Sequence, residues 1–137
     1  MLHRFAAACI VGAGVIATGA LATLLLSLPA EGTSVLTLAW CFVPVVWGFW
    51  AMLAPEGWLP NRLPAWGAIL GIGAGIVAGP LLDLPGRFGA PSGARWLVPL
   101  IGPVLYYPLW LLVRATYCSL RVTGRTASEA TVHERVV

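Results

Sequence analysis

Apolar residues fill four long blocks of the chain, at about 5–28, 34–54, 64–82 and 96–113, and polar residues are confined to what lies between and after them. Each block is close to the ~20 apolar residues that carry a helix across a bilayer. The pattern predicts four transmembrane helices. His3 and Arg4 precede the first block, which is too long for the apolar core of a signal peptide. Leu28-Pro-Ala30 lacks small residues at both cleavage positions, and a lipoprotein cut at Cys9 would leave almost no apolar core. The first block is therefore expected to be a retained helix, with cleavage as the alternative. Pro29-Ala-Glu-Gly32 reads as a turn, and the stretches 55–63 and 83–95, dense in glycine and proline, read as loops.

Prolines mark two of the spans. Pro44 lies near the middle of the second and predicts a kink, or a freed carbonyl at Trp40. Pro99, Pro103 and Pro108, with Gly102 between, are expected to interrupt the fourth, displacing carbonyls near Arg95, Pro99 and Val104. Pro64 at the head of the third suits a first helical turn.

Composition agrees with the pattern. Of 137 residues, 59% are hydrophobic and 9% charged, against roughly 25% charged in soluble domains. The expectation is an all-α polytopic membrane protein. It would be a single integral-membrane domain over 1–137, a four-transmembrane-helix bundle with a glycine-rich third helix and a proline-kinked fourth. Its polar tail, 114–137, would start as an interfacial helix and then fray. Charge sets the orientation. With both termini cytoplasmic, Arg4, Arg62, Arg114, Arg121, Arg125 and Arg135 lie inside, and Arg87 and Arg95 outside. That distribution follows the positive-inside rule and predicts a multi-pass protein of the inner (plasma) membrane. The arginines form no stripe with interleaved aromatics, so nucleic acid is not an expected partner; membrane lipid is.

The third span carries the most regular feature. Gly67, Gly71, Gly75 and Gly79 recur every fourth residue and share one helix face. In a bilayer a strip without side chains lets another helix approach closely. Two readings are open. The strip packs within the chain, with span one (Gly12, Ala13, Ala17, Ala20) as the expected partner, or it joins this chain to another subunit or a second copy. Val11-Gly-Ala-Gly-Val-Ile-Ala17 resembles Ile72-Gly-Ala-Gly-Ile-Val-Ala78. That likeness is either a trace of duplication or the small alphabet of membrane helices. Both stretches match a dinucleotide fingerprint, but neither has the preceding strand or following acid that binding needs.

Tyr106, Tyr107, Pro103, Pro108 and Trp110 form the candidate ligand or lipid site. Carbonyls freed by proline survive in a bilayer only where neighbours or water satisfy them, and a buried tyrosine hydroxyl needs a partner. A quinone, lipid head group or small solute would suit; a kinked helix fitted to its neighbours is the alternative. Elsewhere the chemistry is sparse. No charge lies deep in a span, which disfavours ion-coupled transport. His3 and His133 are terminal, and the three cysteines form no C-x-x-C. No residues assemble a catalytic set or metal-ligand spacing. No enzyme activity, metal or cofactor is expected.

Arg4, the small-residue first span, Leu24-Leu-Leu-Ser-Leu-Pro29 and Trp47-Gly-Phe-Trp50 resemble small inner-membrane proteins associated with siderophore and iron uptake. The resemblance covers the first ~55 residues. The expected function is a non-catalytic accessory or structural subunit of a larger membrane complex, its partners other membrane subunits or itself. The alternative is a small oligomeric transporter or channel for a neutral or aromatic solute, which the resemblance links to iron uptake.

Overall fold

The computed structural model describes residues 1–25, 33–87 and 89–134, with side chains described except at 23, 24, 33–40 and 124–134. The protein is all-helical; no strand occurs among the described residues. Its long helices are α1 (Leu2–Leu25), α2 (Thr33–Met52), α3 (Leu63–Ile76) and α5 (Val98–Glu134), with a short α4 (Leu84–Arg87) between the last two. A π-helical turn, Val77–Leu81, extends α3. Among the described residues three stretches are long and apolar enough to cross a membrane: Leu2–Ala22, Leu63–Leu81 and Val98–Thr123. The described apolar part of α2, Cys41–Met52, is shorter. The turn expected at Pro29–Gly32 and the Trp40 side chain lie outside the described residues.

The chain divides into two compact units: residues 1–53 with 115–137, and residues 54–114. In the first, α1 and α2 run antiparallel. Phe5 meets Phe49 edge-on, with ring centroids 5.6 Å apart. One turn along, a Cβ on Gly48 would stand 2.6 Å from Phe5 Cε2 and 2.8 Å from Cys9 Sγ. The Cys9 thiol donates to the Pro44 carbonyl over 3.2 Å. Further on, a Cβ on Gly12 would come within 3.0 Å of Pro44 Cα. Small residues at 12 and 48 thus bring α1 against the backbone of α2.

In the second unit α3 and the first part of α5 pack antiparallel. Pro64 begins α3, where its missing amide is an orphan in any case. Leu63 and Pro64 are buried, and Trp58 meets Trp66 edge-on at 5.8 Å. Arg114 Nη2 donates to Asn61 Oδ1 over 3.1 Å, tying the loop before α3 to α5. That loop holds a 3-10 turn, Glu56–Trp58, and a cis Leu59–Pro60 peptide.

At its far end α3 changes pitch. Pro80 has no amide to give the Ile76 carbonyl, and its ring crowds the preceding turn. The hydrogen bonding shifts by one residue, so that Leu82 N–H reaches the Val77 carbonyl over 3.0 Å. Asp83 then closes the helix at φ +46°, a left-handed conformation that a short polar side chain tolerates. The stretch expected as a plain loop, 83–95, contains α4 and a 3-10 turn, Ser92–Trp96, which pack on each other and on the π-helical turn.

One expectation for the fourth span is corrected. Pro99 does not interrupt it, because the helix starts at Val98 and Pro99 falls in its first turn. The helix expected at the start of the polar tail is continuous with that span: α5 runs through Arg114 to Glu134, because nothing after Pro108 removes a backbone donor.

Candidate functional site

The α3 glycines and α5 form the closest helix contact of the second unit. Gly67, Gly71, Gly75 and Gly79 are all buried. A Cβ on Gly67 would fall inside the indole of Trp110. On Gly71 it would stand 2.7 Å from the Gly102 carbonyl oxygen and 2.9 Å from Tyr106 Cβ. On Gly75 it would lie 2.6 Å from Pro99 Cα and 2.8 Å from the Val98 carbonyl oxygen. On Gly79 it would meet the Arg95 carbonyl oxygen, with Val98 Cβ at 3.1 Å. The strip's partner within the chain is therefore α5, not the first span as expected. Gly12, in the other unit, meets Pro44 instead.

The direction a Cβ would take is that of one of the glycine's Cα hydrogens. Gly71, Gly75 and Gly79 therefore have only a hydrogen beside the carbonyls of Gly102, Val98 and Arg95, and Gly102 likewise beside the Gly71 carbonyl. Only glycine permits backbones to lie this close. Proline contributes as well. Pro99 lacks the amide that would bind the Arg95 carbonyl in a helix, which leaves that oxygen free to face Gly79.

The candidate ligand residues divide between two faces. Tyr106 and Trp110, four residues apart, share the face toward α3. Trp110 is fully buried with its ring on Gly67, and Tyr106 packs its Cβ on Gly71. Tyr107 is 47% exposed and Pro108 is exposed, while Pro103 is half-buried. The tyrosine pair is thus not one site: one ring belongs to the helix contact and the other to the outside of the unit.

Pattern reading passed over Pro80 and the receiving carbonyls at 95, 98 and 102. Pro80 was a visible signal, since it falls inside the apolar block. Gly102 was visible too, but among prolines it reads as a helix breaker and not as a point of contact.

The outer faces carry large apolar groups. On α3, Ile69, Ile72 and Ile76 are exposed opposite the glycines. On α2, Phe42, Val45, Val46 and Phe49 are exposed, with Leu53 just after its end. Their spacing of three and four makes one stripe. Among the described residues no three His, Cys, Asp or Glu side chains could hold a metal ion together. No protein-family model matches this chain, and no curated protein or solved structure matches it.

Proposed function

We propose that this protein is a non-catalytic accessory subunit of a larger membrane complex, spanning the bilayer four times with both termini cytoplasmic. The exposed stripe on α2 carries the reading. Its residues Phe42, Val45, Val46 and Phe49 are aromatic or branched and cover about two turns, and Leu53 continues the stripe past the helix end. The glycine strip, by contrast, is taken up by α5 within the chain, so a partner helix would use α2.

Photo-crosslinking tests this. A benzophenone amino acid at Phe42 or Phe49 should trap one defined membrane protein in native membranes, and the same group at Ile72 on α3 should trap lipid. Uniform lipid adducts at all three positions, together with purification as a lone chain, would remove the accessory reading. Comparing iron-replete and iron-starved cells tests the resemblance of the first ~55 residues to proteins of siderophore uptake, because a partner present only under starvation would connect the two.

A further inference from the structure

We propose that Arg95 and Trp96 form a binding site for a phospholipid phosphate at the membrane boundary; this rests on the reading that α3 and α5 span a bilayer. The backbone there is held from both sides. The Arg95 carbonyl lies against Gly79 at the end of α3. The 3-10 turn around it is closed by Ala94 N–H to the Pro91 carbonyl, 2.8 Å, and by Leu97 N–H to the Ala94 carbonyl, 3.0 Å. The side chain is therefore presented from a fixed point.

That point is a rim. The apolar part of α3 ends at Leu81 and that of α5 begins at Val98. Trp96, 61% exposed, is the kind of amphipathic ring that sits at head-group level. The Arg95 guanidinium carbon lies 5.6 Å from the Trp96 ring centroid. A cation–π contact steadies the charge but supplies no hydrogen-bond acceptor. Arg95 Nε is shielded from solvent and makes no hydrogen bond, so a phosphate would be met by the terminal Nη groups. Among the described residues no carboxylate pairs with Arg95. Asp83, the nearest acid in sequence, places its carboxylate over Gly86, where a Cβ would be 2.5 Å from Oδ2.

Arginine's planar fork matches phosphate oxygens geometrically. At a bilayer rim the abundant acceptor is the lipid phosphodiester. With no acid offsetting the charge, a lipid of net negative charge is favoured over a zwitterionic one.

The test uses the full chain, purified in mild detergent with an equal mixture of phosphatidylglycerol and phosphatidylcholine, and native mass spectrometry of the retained lipid. The wild type should hold phosphatidylglycerol over phosphatidylcholine by about fivefold, the worth of one arginine at an anionic surface. Arg95→Gln should bring the ratio near one, Trp96→Leu should lower it, and Arg121→Gln on the distal part of α5 should leave it unchanged. An unchanged ratio in Arg95→Gln overturns the proposal. So does displacement of the lipid by inorganic phosphate, which would make the site one for free anions. Should Arg95→Gln fail to fold, Trp96→Leu decides by the same ratio. Carbonate extraction of the membranes reports insertion alone, and so distinguishes failure of this site from failure of the membrane reading.

Discussion

Glycine has a different meaning at neighbouring positions of α3. Gly71 faces backbone: an added methyl would stand 2.7 Å from the Gly102 carbonyl oxygen, and a carbonyl cannot swing aside. Gly73, two residues on, meets nothing within 4 Å. Gly71→Ala is expected to destabilise the protein by about 1–3 kcal/mol, the usual cost of overpacking. Gly73→Ala should stay within about 0.5 kcal/mol of wild type. Reversible unfolding in mixed micelles, followed by tryptophan fluorescence, measures both. Equal effects would mean that the strip is not a contact surface. The spacing of four was legible in the chain, but which of its seven glycines and alanines touched a neighbour was not, because that depends on where the other helix lies.

At the scale of elements, each unit is built on a close antiparallel pair, and in each the contact uses glycine against proline. In the α1–α2 pair the obstruction at Gly48 is two side chains, the Phe5 ring and the Cys9 sulfur. Gly48→Ala should therefore cost about 1–2 kcal/mol in the wild type and less in a Phe5→Leu background, where the ring is gone and the Cys9 sulfur remains. Phe5→Leu alone loses the edge-on contact with Phe49, about 0.5–1.5 kcal/mol. A double-mutant cycle reads the coupling, and strict additivity would place Gly48 away from Phe5. The elements themselves were mostly readable. Four apolar blocks announced four long helices, and the start of α3 followed from Pro64. Two details of the helix ends were not readable. A helix was expected at the start of the polar tail, but not that it runs unbroken from the fourth span, since hydrogen bonding along a helix does not depend on whether its surface is apolar. The change of pitch at the end of α3 was signalled by Pro80, but a proline there predicts a break as readily as a π-helical turn.

For the whole molecule, orientation is set by charge. Arginines at 4, 62, 114, 121, 125 and 135 against those at 87 and 95 place both termini inside the cell in the proposed topology. Cys118 is exposed and Arg87 is exposed, so both positions can be labelled. With Cys118 as the sole cysteine, a membrane-impermeant maleimide should react in inside-out vesicles and not in intact spheroplasts. A chain whose sole cysteine comes from Arg87→Cys should do the opposite. Labelling of both from the same side would require an even number of spans between them, and would overturn the proposed topology.

The sequence by itself determined the helical class, the apolar stretches long enough to cross a membrane, and the presence of a side-chain-free face on α3. Each of these follows from local properties: length, hydropathy and a spacing matched to the helical turn. Only the tertiary structure decided that α5 fills that face, that Tyr106 and Trp110 belong to the contact while Tyr107 lies outside it, and that Gly12 serves a separate pair with Pro44. Small residues make a close approach possible without specifying its partner. Spans one and four both offered glycine, and the choice depended on fitting the backbone at Arg95, just before α5, and at Val98 and Gly102 of α5 against Gly79, Gly75 and Gly71. That match is a property of two backbones brought side by side.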